Sequence, residues 1–224
     1  MRLLRFIQKI NWKVYLMELF IVILGITIAY QLNIVYENRV NHKLELSALE
    51  NLKKENEINL KEFESLEKYR DRITDRTRKL GRLLKNPPLI KDSVEQHLFY
   101  LTQTSTPDLQ HEASNFYLNS NYSNRYLVVK NEVLTLKTYL QEFMEMSDGY
   151  KQKKSSEFMR YLRDAVDFDR KKVVNLKKIG SLEFKNIIWN QGSDEVELNR
   201  LYEQAFEQLK MVQFKVDSIL TQSQ

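Results

Sequence analysis

The chain has 224 residues, 42% hydrophobic, 29% charged and 11% aromatic, which fits one folded domain beside a membrane span and leaves little room for a second. Five glycines and three prolines are few for this length and exclude sandwiches built on many tight turns, so an all-α fold is predicted. Of the net charge of +5, Arg2, Arg5, Lys9 and Lys13 supply four, which marks a membrane-flanking tail and predicts no nucleic-acid partner; the lack of cysteine excludes disulfides and thiol catalysis.

Residues 1–13 form a basic tail without an acid. Leu3, Ile7, Ile10 and Val14 recur at helical spacing opposite the cations, so the tail is read as lying along the inner leaflet, with Arg2, Arg5, Lys9, Trp12 and Lys13 as interface anchors. The alternative is a plain tail whose cations only set orientation, and both give one topology. From Val14 to Val35 the chain reads VYLMELFIVILGITIAYQLNIV, roughly 33 Å of helix, so a transmembrane helix is predicted over 14–36. No A-x-A-like cleavage site is clear, which predicts a retained signal anchor. The positive-inside rule then places the N-terminus in the cytoplasm and everything after Tyr36 outside.

Glu18 is an acid inside the span. At 100° per residue it shares a stripe with Gly25, Ala29 and Asn33, and Gly25-x-x-x-Ala29 is the small-residue spacing that lets two membrane helices approach closely. Two readings stay open: the stripe is an association face for self or another membrane protein, or Glu18 snorkels to the headgroups beside Lys13.

The run from Glu18 to Asn33, followed by Glu37, resembles the signature G-E-I-x-L-x-x-x-G-I-x-I-A-x-Q-x-N-N-W-N-E of a family of single-span Bacteroidota membrane proteins, a domain of unknown function. Glu18, Gly25, Ala29, Gln31, Asn33 and Glu37 match; Met17 stands for the leading Gly and Ile34-Val35 for Asn-Trp. Fainter similarity continues through Leu49-Glu50-Asn51-Leu52. The resemblance implies an inner-membrane anchor and a periplasmic helical domain, and no activity, ligand or catalytic residue.

No Gly or Pro falls between Gly25 and Gly81, which predicts that the membrane helix runs on as a long stalk helix over 37–86, stopped by Pro87 and Pro88. Along it Leu52, Leu66, Ile73 and Leu80 keep a heptad column that Asn56, Asn59 and Arg70 interrupt. The stretch from Lys68 to Lys85 is strongly basic, read as a solvated face or as a tip for an acidic partner. The remainder, 87–224, is predicted to complete an extracytoplasmic antiparallel helical bundle. Val129, Val133, Leu136, Leu140 and Phe143 mark one helix, Leu198 to Ile219 another, and Met159, Leu162, Val166, Val173 and Leu176 a third. Shorter helices are expected near 93–103, 110–119 and 182–190, with boundaries at Gly149, Gly180 and Gly192 and a capping box of Asp194 and Glu197 opening the last helix. Tyr117, Tyr122, Arg125 and Tyr126 lie in an Asn- and aromatic-rich stretch, read either as a partner loop or as a corner whose aromatics plug the bundle.

Hydrolase, dinucleotide, phosphate-loop and zinc-protease motifs are lacking, and His42, His97 and His111 are the only imidazoles. His97 and His111 could meet only through the fold. Asp164, Asp167 and Asp169 lack the glycine and distal acid of a calcium loop, and Lys171 is placed to pair with Asp167. No catalysis, cofactor, metal or small-molecule substrate is predicted. The leading expectation is a membrane-anchored interaction or scaffold protein; the alternative is a periplasmic sensor or small-ligand-binding domain acting through a separate effector.

Overall fold

The structure is a computed structural model that describes residues 12–121 and 124–223. It is helical almost throughout. Helix α1 runs from Trp12 to Lys85, 74 residues, as the lack of Gly and Pro predicted. It ends because Pro87 and Pro88 have no N–H to continue it and Asn86, the residue before a proline, is steered out of the α region. The described residues fall into two compact units, one taking α1 up to Ser47 with Asn121–Arg125, the other Ala48–Ser120 and Tyr126–Gln224.

In the first unit every residue from Trp12 to Asn33 is exposed, and an 18-residue window reaches a mean hydropathy of 2.0. This is a helix near the N-terminus that is long and apolar enough to cross a bilayer, with its backbone bonded internally as a hydrocarbon core demands.

In the second unit, α2 (Lys91–Leu98) leads through a 3₁₀ turn (Phe99–Thr102) to α3 (Glu112–Asn119). Helix α4 (Leu127–Lys153) follows and widens into a π-helical segment, Lys154–Met159, before the three residues of α5 (Arg160–Leu162). A two-strand hairpin, β1 (Val166–Asp167) and β2 (Lys172–Val173), and the short α6 (Leu176–Ile179) connect to α7 (Leu182–Gln222). Side-chain bonds join Asn56 to Leu209, Phe63 to Tyr202 and Arg70 to Glu195, so partners descend along α7 as they ascend along α1.

Two apolar cores result. One surrounds the fully buried Phe63, whose ring lies 5.4 Å from Phe143, 5.1 Å from Tyr202 and 5.9 Å from Phe206. The other gathers Ile73, Leu80 and Leu84 of α1 with Val94, Leu98, Phe158, Leu162, Phe184 and Ile188. Glu55 of α1 accepts hydrogen bonds from the Ala113 and Ser114 amides at 2.6 and 3.0 Å and so caps the start of α3 from outside that helix.

Four expected features are corrected. Val166 and Val173 do not lie on one helix; they face each other across the hairpin, whose turn holds Lys171 at φ 51° and whose second strand is fastened by Glu95, accepting from Val173 N at 2.7 Å and Lys172 Nζ at 2.9 Å. Gly192 does not end a helix and Asp194 with Glu197 does not open one, because α7 is continuous from Leu182; Asp194 pairs instead with Lys153 at 3.1 Å, and the true cap is Ser181, accepting from Phe184 N at 3.2 Å. Gly149 lies inside α4, while Gly180 is a boundary, with Leu89 so close that an added Cβ would meet it at 3.0 Å. Asp167 is paired by Arg170 rather than Lys171, and Asp164 by Lys178.

Candidate functional site

Between the two cores the inward positions of the three long helices turn polar: Arg70 and Thr77 on α1, Ser147, Tyr150 and Lys154 at the end of α4 and its π segment, Gln191 and Glu195 on α7. Arg70 anchors this layer. Its Nε donates to Asn199 Oδ1 at 2.7 Å and its Nη2 to Glu195 Oε2 at 3.0 Å, and Asn199 passes the chain on to Thr74 Oγ1 at 3.0 Å. Tyr69 OH donates to Gln103 O at 3.0 Å, and Lys154 Nζ donates to the same carbonyl.

The layer holds two buried cations, Arg70 and Lys154, against one buried carboxylate, Glu195. Lys154 is 2% exposed. Burial pulls its ammonium down to about 8, partly opposed by the charge of Glu195. Burial, then the charge and hydrogen bond of Glu195, push the Tyr150 phenol far up, and burial pushes Tyr69 up to about 12. The folded Lys154 therefore releases its proton near pH 8, the unfolded one near 10.5. Between these the unfolded state binds more protons, so stability rises with pH through that window, with a slope of up to about 1.4 kcal/mol per pH unit. Melts of the full-length protein in detergent from pH 8 to 10, below the range where the raised tyrosines act in the opposite direction, are expected to show this rise, and Lys154→Met to flatten it.

Two concavities open beside this layer. A polar cavity of about 260 Å³ is lined by Lys154, Glu157, Gln191, Asp194, Phe158 and Ile187, among others. A larger groove of about 690 Å³ runs between α1 and α7, with Gly81, Gly192 and Thr77 among its lining and Arg78, Arg82, Lys85 and Lys185 also part of it. Thr77 Cγ2 would lie 3.7 Å from a Cβ added at Gly192, an ordinary van der Waals distance, so α1 passes close to α7 there. On α7, Leu182, Trp189 and Val196 stand at seven-residue intervals and are 73%, 69% and 67% exposed.

The residues singled out in the sequence are dispersed. Glu18, Gly25, Ala29 and Asn33 are all exposed on α1, an added Cβ at Gly25 would meet nothing within 4 Å, and Asn33 Nδ2 donates to Glu37 Oε1 at 2.9 Å. Trp12 and Lys13 are exposed; Arg2, Arg5 and Lys9 lie outside the described residues. Tyr117 is buried, as the plug reading expects, whereas Arg125 is exposed, Tyr126 is half-buried and Tyr122 lies outside the described residues. His97 does not meet His111: its Nδ1 sits 3.0 Å from Arg76 Nη1, and since a guanidinium only donates, that nitrogen accepts and the ring is neutral, its pKa lowered by burial and then by the charge of Arg76. Among the described residues no group of three His, Asp or Glu is placed to hold a metal ion.

Sequence reasoning missed the polar layer and both concavities. One signal was available, the arginine at position 70 within the heptad column; the spacing of Leu182, Trp189 and Val196 was another. Comparison with known protein families, with curated proteins and with solved structures finds no match to this chain.

Proposed function

We propose that this chain is a single-pass membrane protein, N-terminus cytoplasmic, whose periplasmic antiparallel helical bundle binds a partner helix and has no catalytic role. Kinship with the single-span Bacteroidota family belongs to the same proposal and rests on Glu18, Gly25, Ala29, Gln31, Asn33 and Glu37.

The observation that carries this reading is the groove between α1 and α7. Trp189 and Val196, two large apolar side chains that line it and are left in water seven residues apart, cost the free chain solvation, and the small residues beside them leave space for another backbone. Arg78, Arg82, Lys85 and Lys185 make no ion pair among the described residues, so the complementary occupant is an amphipathic helix with acidic flanks, about three turns long to match Thr74–Lys85. The test replaces Trp189 by a photo-crosslinking residue in the full-length protein in its native membrane. One defined protein adduct that Arg78→Glu with Arg82→Glu abolishes is the expected result. Adducts to lipid alone, or none, overturn the reading.

The membrane stripe supports a second contact of the same kind, with another copy of α1. Leucine has no room where two backbones approach at Gly25 and Ala29. Gly25→Leu with Ala29→Leu is expected to convert an oligomer in mild detergent to monomer by mass photometry; unchanged mass removes this contact from the proposal.

A further inference from the structure

The polar cavity beside the π segment has a use that partner binding leaves unexplained. Gln191 is 6% exposed and lines it, yet neither its amide nitrogen nor its amide oxygen finds a hydrogen-bond partner among the described residues. A buried amide without partners is costly, and such groups are rare in folded proteins. Side-chain amides offer donor and acceptor side by side, so a single group presenting both an acceptor and a donor satisfies Gln191 at once.

The charges around the cavity narrow the ligand. Lys153 and Lys154 stand against Glu157 and Asp194. Lys153 and Asp194 already pair across the cavity at 3.1 Å, while Glu157 makes no ion pair among the described residues. With two positive and two negative side chains the cavity favours neither a net anion nor a net cation; it matches a zwitterion, carboxylate towards the lysines and ammonium towards Glu157. At about 260 Å³ it is smaller than the roughly 300–1,000 Å³ typical of pockets for drug-sized ligands, which points to a molecule of amino-acid size. Phe158 and Ile187 supply the apolar wall. The wide turn of a π-helical segment, a feature frequent at functional sites, carries Lys154, Glu157 and Phe158 there together.

We infer that this cavity binds a free α-amino acid with an apolar side chain, held as a zwitterion between Lys154, Glu157 and the Gln191 amide. This goes beyond the groove reading and does not depend on it: Trp189 and Ser193 line both concavities, but Lys154, Glu157 and Gln191 line the cavity and not the groove, and the two readings have different readouts.

The experiment is calorimetric titration and thermal shift of the full-length protein in detergent with leucine, N-acetyl-leucine, leucinamide, acetate and putrescine. Leucine is expected to bind, and each compound that lacks one of its two charges to bind at least tenfold more weakly. Gln191→Met keeps the volume and removes the amide; it is expected to weaken leucine binding at least tenfold while leaving the melting temperature of the free protein unchanged or higher, because the lost group had no partner in the fold. No leucine binding at millimolar concentration, equal binding of acetate or putrescine, or a Gln191→Met variant that binds leucine as the parent does, each overturns the assignment.

Discussion

Glu195→Ala is expected to destabilise the folded protein by about 3–5 kcal/mol, the cost of leaving a buried charge without its partner. The carboxylate is almost wholly buried and serves three groups: Arg70 at 3.0 Å, the Tyr150 hydroxyl, and the charge of Lys154. Removing it leaves two buried cations and no counter-charge. Replacing both members of the pair, Arg70→Met with Glu195→Leu, is expected to recover much of the loss, because the permanent charge of Arg70 is gone and Lys154, the buried cation that remains, can release its proton. Chemical denaturation of the full-length chain in detergent, followed by circular dichroism, measures all three proteins. A Glu195→Ala cost below about 1 kcal/mol would mean that the layer is open enough for water to take the carboxylate's place.

The polar layer also shows which parts of the fold a single sequence can reveal. Leu52, Leu66, Ile73 and Leu80 are buried as their heptad spacing predicts. Asn56, Asn59 and Arg70, which interrupt that column, are not weak points in it. Asn56 Nδ2 donates to Leu209 O at 2.8 Å, Asn59 exchanges two bonds with the backbone of Gln110, and Arg70 reaches α7. Periodicity identifies the face a residue occupies but carries no information about a partner far along the chain, so these positions read as interruptions until the helices are placed together.

The same limit explains the misplaced helix at Val166 and Val173. Seven residues apart, they satisfy a helical period, and they equally satisfy a hairpin with a four-residue loop. The decision comes from outside the segment, from Glu95 on α2, which accepts from the Val173 amide. Gly192 differs for the opposite reason: glycine ends helices often, but here it stands inside the continuous α7, where its cost of roughly 1 kcal/mol in helix propensity is outweighed by the packing of the rest of that helix. The polar cavity left no local trace at all, since a lysine and a glutamine on helices ordinarily face water.

Phe63→Ala tests the other core, and the expected loss is about 3–5 kcal/mol. Phe63 is completely buried, and its ring is packed by Phe143, Tyr202 and Phe206 from two other helices, so the surroundings cannot collapse into the space without moving α4 and α7 together. Tyr202→Phe keeps that packing and removes only the bond from its hydroxyl to Phe63 O at 2.8 Å; about 1 kcal/mol is expected, because the Phe63 carbonyl keeps its place in the helix ladder. Trp189→Ala, at a side chain left largely in water, is expected to stay within about 0.5 kcal/mol of the parent. The order of the three separates an aromatic that builds the fold from one that does not, and a large loss at Trp189 would place that ring in the folding core, leaving nothing over for the groove to offer a partner.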